Sequence, residues 1–289
     1  MKSFAAYKSM ADAFLQQAIT VPAGEEGGLA ESMRYSLLAG GKRIRPVLAL
    51  AFCDALGGDI EKALPAACAL EMIHTYSLIH DDLPCMDDDV LRRGKPTNHV
   101  VYGECTATLA GDALQSLAFE TLASAPLESG RIVRCLKILS EAAGYRGMCQ
   151  GQFLDMEGEG KSLTAEELTH INNLKTGALL SAACRMGAAA AGADEKQLEA
   201  AGTFGSLLGL AFQIRDDVLD VISTDAELGK SVGSDVQEHK NTYMALLGME
   251  GCNREISRLT ASAVAVLEEN FTDTAFLSDL ARSLAERVN

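Results

Sequence analysis

The chain has 289 residues, 48% of them hydrophobic, enough to bury one large core or two small ones. It carries 40 acidic against 25 basic residues, a net charge of −15, with no long basic tract to offset it, which argues against nucleic acid and anionic membrane surfaces as partners. The N-terminus, Met1-Lys2-Ser3-Phe4-Ala5-Ala6-Tyr7-Lys8, lacks the uninterrupted apolar stretch of a signal peptide. The eight cysteines (Cys53, Cys68, Cys85, Cys105, Cys135, Cys149, Cys184 and Cys252) form no CxxC pair, so they read as reduced, mainly buried thiols of a cytoplasmic protein.

In chain order, almost every segment has helical period. Residues 3–19 form an amphipathic helix, 20–28 a Pro/Gly/Glu connector, and 29–39 a second helix that stops at Gly40-Gly41. Pro46 suits the first turn of a helix that runs to about Leu56. A long apolar helix covers about 60–82, and further helices are expected near 98–124, 129–144 and 147–156. Thr164 with Glu167 three residues on is a capping-box start for a helix over 165–190. That stretch includes the most membrane-like window, 176–193, whose Ala/Gly content and Arg185 suit a closely packed internal helix better than a span. Helices over 194–222, 235–249, 251–270 and 273–287 complete the chain. No convincing alternating strand and no linker-like composition break is present, so residues 1–289 read as one all-α domain of roughly a dozen helices.

Two acidic clusters interrupt this pattern. Asp81-Asp82-Leu83-Pro84-Cys85-Met86-Asp87-Asp88-Asp89 places five carboxylates within nine residues, and Asp216-Asp217-Val218-Leu219-Asp220 lies inside an apolar stretch. Carboxylates packed this closely repel one another, and a bound hard cation such as Mg²⁺, Mn²⁺ or Ca²⁺ relieves that repulsion. At about 100° per residue, Gln213, Asp216, Asp217 and Asp220 share one helical stripe. Asp81 and Asp87 cannot share a face of a straight helix, and Pro84 makes one unlikely to persist. The helix should therefore end near Asp82 and the chain swing back, with His74 two turns below Asp81. Two basic islands accompany the acids: Gly40-Gly41-Lys42-Arg43-Ile44-Arg45-Pro46 and Arg92-Arg93-Gly94-Lys95. Acid clusters that take metal, with Arg and Lys nearby, describe a diphosphate site, and two islands suggest two diphosphates. Neither a Walker A sequence nor GxGxxG is present, so a nucleotide is not indicated.

These motifs resemble those of the trans (E-type) isoprenyl diphosphate synthase family along nearly the whole chain. The matching stretches are GGKRIRP at 40–46, DDLPCMD at 81–87, RRGKPTNH at 92–99, GQFLD at 151–155, KTG at 175–177, FQIRDDVLD at 212–220, and the surroundings of Lys230 and Lys240. Pro84-Cys85 within the first Asp motif resembles the bacterial farnesyl and plant-type geranylgeranyl subgroups. The resemblance implies a large helical bundle of the isoprenoid synthase type around a central cavity, a homodimer, and a Mg²⁺-dependent prenyl transfer, with several ions and Mn²⁺ as an alternative. It implies that Asp81, Asp87 and Asp216 hold metal, supported by Asp82, Asp217 and Asp220. Arg92, Lys175, Lys230 and Lys240 would hold an allylic diphosphate, and Lys42, Arg45, His74 and Arg93 isopentenyl diphosphate. Thr176 and Gln213 match positions whose oxygen dipoles face the allylic cation. The stretch around Lys240 departs from the pattern in lacking a proline after Tyr243, and the C-terminal tail is less basic than in many relatives.

Tyr76 and Ser77 precede Asp81 by about one turn, so an aromatic at that level would stop a longer chain. By resemblance Tyr76 favours the fifteen-carbon product, farnesyl diphosphate, with geranylgeranyl or geranyl diphosphate as alternatives. Four other readings fit less of the chain. A di-iron bundle on Glu71/His74 and Glu167/His170 leaves the aspartates without a role, and a calcium loop at 155–166 has Glu at two ligand positions. A terpene cyclase would not need the GGKRIRP site, and a non-catalytic prenyltransferase subunit tends to lose Asp-motif residues that are complete here.

Overall fold

The computed structural model describes residues 1–21, 28–222 and 241–287. Helices α1 (Phe4–Ala18), α2 (Leu29–Leu37) and α3 (Ile44–Ala55) lead to α4 (Ile60–Asp81). A short hairpin of β1 (Leu91–Arg92) and β2 (Lys95–Pro96) precedes α5 (Asn98–Tyr102), α6 (Glu104–Ala123), α7 (Ser129–Ala143) and α8 (Met148–Gly158). Then come α9 (Ala165–Asn172), a π-helical turn at Asn173–Gly177, α10 (Ala178–Ala191) and α11 (Glu195–Ile222). After the second described gap, α12 (Tyr243–Asn270) and α13 (Ala275–Glu286) close the bundle. The all-α architecture expected from the helical periodicity is the one observed.

Burial explains the layering. Helix α4 is buried on every side through Ala66–Ile73 and is the central helix, since a helix apolar all round needs neighbours all round. It packs on α3, α6 and α10, and the core joins Leu48, Leu50, Leu70, Met72, Ile73 and Leu114. Phe52 meets Phe204 and Phe271 edge-on, with ring centroids 5.5 Å apart in each pair, a favoured aromatic geometry. A second apolar cluster, with Ile214, Val218, Tyr243, Ile256 and Leu259, seats the apolar side of α11 on α12. That seating turns the acidic stripe of α11 the other way. The 176–193 window is the buried α10, and among the described residues no helix is long and apolar enough to cross a membrane.

Three boundaries differ from the periodicity. The expected helix over 98–124 is split at Gly103, whose φ of 83° ends α5 and starts α6. The expected break near residue 250 is a kink at Gly248 (φ 63°) inside α12. The 165–190 helix is interrupted by the π turn. Helices α3 and α10 touch so closely that a Cβ on Gly187 would lie 2.1 Å from the Ala49 carbonyl oxygen. Overpacking of this kind costs about 2 kcal/mol, so Gly187→Ala should lower unfolding stability by roughly that amount in a denaturant titration.

Candidate active site

The C-terminal end of α4 turns back as Pro84 requires. The helix ends at Asp81, the Asp87 amide donates to the Asp81 carbonyl at 2.9 Å, and Asp88 takes a left-handed conformation (φ 52°). Asp81 and Asp87 are thereby brought together at the mouth of a cavity of about 830 Å³. Across it stands the stripe of α11, with Gln213, Asp216, Asp217 and Asp220 all lining the same space. The Tyr243 amide donates to Asp217 at 2.6 Å, which ties the start of α12 to this wall. Burial pushes the Asp81 carboxyl up to about 6, against the opposing pull of Lys175. Among the described residues no three His, Cys, Asp or Glu side chains close around a single point.

The third wall is the π turn. Its wider coil projects Lys175 and Thr176 into the cavity. Lys175 donates to Asp155 of α8 at 2.6 Å. Gly177 and Gly209 let this turn approach α11, because a Cβ on Gly209 would already lie 3.0 Å from the Gly177 Cα. Four residues beyond Gly209, Gln213 faces the same space as Thr176.

Cations rim the cavity. The β1–β2 hairpin turns at Arg93-Gly94, both at positive φ, which sends Arg92 toward the cavity. Arg92 donates to Asp82 at 2.5 Å and to Asp89 at 3.1 Å. Asp82 is buried and braces Arg92 rather than lining the cavity, and burial pushes its carboxyl up to about 7. Lys42 lines the cavity from the loop before α3, its pKa lowered by burial and then by Arg287. Arg45, His74 and Arg93 do not line it. Burial among Arg45, Arg93, Arg92 and Arg43 holds His74 well below its ordinary value. Arg93 donates to the Gly40 carbonyl across the glycine turn. Tyr76 is buried one turn below, its hydroxyl 3.7 Å from Cys149 Sγ and its ring edge-on to His80, while Ser77 donates to the His74 carbonyl at 2.9 Å. Lys230 and Lys240 lie outside the described residues.

Asp155 and Arg287 also line the cavity. In the sequence Asp155 closes the GQFLD stretch and opens the 155–166 loop. Arg287, in the tail, donates to Asp216 and to the Phe212 carbonyl and stacks 3.9 Å over the Phe212 ring. The two ExxH pairs do not form an iron site, since Glu71 is paired with Arg43 at 2.8 Å.

With this geometry in place, the comparisons give the class. A family model described as polyprenyl synthetase matches residues 26–275, and the chain belongs to that family. It is 48% identical to a farnesyl diphosphate synthase of Geobacillus stearothermophilus over 264 residues, 90% of this chain and 88% of that one. It is 50% identical to a geranylgeranyl diphosphate synthase of Cyanophora paradoxa over 247 residues, 84% and 82% of the two chains. Among solved structures, a geranyltransferase from Helicobacter pylori complexed with magnesium and isoprenyl diphosphate superposes with a TM-score of 0.87 at 38% identity, covering 97% of this chain and 94% of that one. The chain is thus a prenyl transferase with the isoprenoid synthase bundle.

The placement of Lys175 and Thr176 depends on how closely α8 approaches the π turn. A Cβ on Gly151 would lie 2.1 Å from the Lys175 amide nitrogen. Gly151→Ala should displace both side chains and reduce kcat/KM about tenfold or more, with helix content by circular dichroism retained. Unchanged turnover would contradict this dependence.

Proposed function

We propose that this protein condenses isopentenyl diphosphate head-to-tail with dimethylallyl and then geranyl diphosphate, and that farnesyl diphosphate is its main product. The observation that carries the proposal is the pair of carboxylate walls, Asp81 and Asp87 against Asp216, Asp217 and Asp220, around one cation-rimmed cavity. The donor set fits Mg²⁺, which is ordinarily held by one or two carboxylates together with substrate phosphates and water. Asp81, Asp87 and Asp216 would hold the ions, with Asp82, Asp217 and Asp220 supporting and Mn²⁺ as the alternative metal. When bound, the metal neutralises the charge that diphosphate gains as the allylic C–O bond breaks.

The remaining roles belong to the protein's own side chains. Arg92 and Lys175, with Lys230 and Lys240, grip the allylic diphosphate, and Asp155 keeps Lys175 extended toward it. Lys42, Arg45, His74 and Arg93 receive isopentenyl diphosphate. The Thr176 and Gln213 oxygens orient toward the allylic carbon as it becomes cationic. The isopentenyl double bond attacks that carbon, and the proton then lost passes to the departed diphosphate. Closure of the cavity around the substrates excludes the water that would quench the cation.

Product length rests on Tyr76. Its side chain is buried one turn below Asp81 with the hydroxyl 3.7 Å from Cys149 Sγ, which supports reading it as the residue that limits chain growth. The Cyanophora relative favours a twenty-carbon product as the second reading, and relatives of both kinds match at similar identity. We read the chain as a single domain acting as a homodimer in the cytoplasm. The exposed Val100, Val101 and Leu109 support a subunit contact.

The test is a product assay with labelled isopentenyl diphosphate and dimethylallyl, geranyl or farnesyl diphosphate. Elongation should require Mg²⁺, vanish on chelation, return on adding the ion back, and stop at fifteen carbons. Tyr76→Ala should shift the product toward twenty carbons. Asp81→Ala should lower turnover roughly a hundredfold or more without unfolding the protein. Condensation with no primer at all would overturn the proposal, and a twenty-carbon wild-type product would replace its last step.

A further inference from the structure

Within the Lys42-Arg43-Ile44-Arg45 island, Lys42 lines the cavity and Arg43 does not. Its side chain is buried, and each side of its guanidinium is engaged. Nε donates to Asp12 of α1, Nη1 to Glu71 of α4 and Nη2 to the Leu37 carbonyl at the end of α2, all at 2.8 Å. Glu71 is 2% exposed, so this is a desolvated pair. The backbone of Arg43 is left-handed, with φ at 55°, a conformation that a non-glycine residue holds only when its surroundings enforce it. The residue before it, Lys42, reaches the cavity. Two residues after it, Arg45 lies in the first turn of α3, and among the described residues its Nε has no hydrogen-bond partner.

We propose that the Arg43–Glu71 pair is a positioning device for the second diphosphate subsite. It locks the left-handed turn that fixes where Lys42 and Arg45, on either side of it, present their charges to the diphosphate. Glu71 also supplies the buried negative charge that lets Arg43, Arg45 and Arg93 collect around His74. Burial lowers the pKa of both Arg45 and Arg93, and Glu71 is the first charge that opposes it in each. A buried pair is weak evidence of stability, because apolar residues of similar volume often replace one without loss. Its value here is geometric: it ties α1, α2 and α4 to a single turn. The proposal rests on the reading of Lys42, Arg45, His74 and Arg93 as the isopentenyl diphosphate subsite. It adds two positioning residues to that reading, neither of which touches substrate.

The test separates the two substrates. The double variant R43M/E71L and the single variant Glu71→Gln are assayed beside Lys42→Ala, with KM measured separately for isopentenyl and geranyl diphosphate and thermal unfolding followed in parallel. The expected result for R43M/E71L is a folded protein whose isopentenyl KM rises about tenfold or more while the geranyl KM stays within about threefold. Glu71→Gln keeps the contact to Arg43 but loses the charge, and should raise the isopentenyl KM by a smaller factor, about threefold. An unchanged isopentenyl KM in these variants would overturn the proposal, as would equal rises for both substrates. If R43M/E71L does not fold, Glu71→Gln alone decides by the same criteria. Should Lys42→Ala also leave the isopentenyl KM unchanged, the subsite reading itself fails. Should Lys42→Ala raise it while the pair variants do not, only the positioning role fails.

Discussion

Carboxylate repulsion across a shared cavity is the constraint around which the rest is arranged. Like charges gathered around one cavity repel one another, and cations beside them relieve that repulsion. The protein supplies some of that compensation itself. Arg92 lies on Asp82 and Asp89, Lys175 on Asp155, and Arg287 on Asp216. Arg92 and Lys175, proposed to grip the diphosphate, are thus also side chains that neutralise the acids beside them.

The helices deliver this arrangement through close backbone approach. Gly187 lets α10 lie against α3, Gly151 lets α8 lie against the π turn, and the Gly177–Gly209 contact draws that turn onto α11. The apolar side of α11, through Ile214 and Val218, is fixed on α12, which leaves the acidic stripe no direction but the cavity. Tight packing on one side of each element thus determines where its chemistry points on the other. The hairpin does the same on a smaller scale: the turn at Arg93-Gly94, both at positive φ, leaves Arg92 lining the cavity while Arg93 crosses to the Gly40 carbonyl.

Much of this was legible in the sequence, for identifiable reasons. The stripe Gln213, Asp216, Asp217, Asp220 follows from helical period alone, and the return of Asp87 to Asp81 follows from Pro84. The π turn was not legible, because a widened coil at 173–177 is set by its neighbours and leaves no local mark. Nor was the split at Gly103, since an isolated glycine in a helical pattern can be tolerated without ending the helix. Asp82 read as one more carboxylate of its cluster, and only burial against Arg92 gives it a bracing contact. Arg43 read as one cation among three, and its left-handed backbone and its partners Asp12 and Glu71 come from elements far apart in the chain. Arg287 is a single cation near the chain's end, and its partners Asp216 and Phe212 lie some seventy residues earlier. In each case the missing information was tertiary: which distant group a side chain would meet.

The central claim is that two facing carboxylate walls share metal with one allylic diphosphate. It is tested most directly by anomalous scattering from crystals grown with Mn²⁺ and a non-ionisable allylic diphosphate analogue. The account requires Mn²⁺ on the Asp81/Asp87 wall and on the Asp216 wall, with the diphosphate between them and Lys175 and Arg92 on its oxygens. Manganese confined to one wall, or a diphosphate bound outside the cavity, would contradict it.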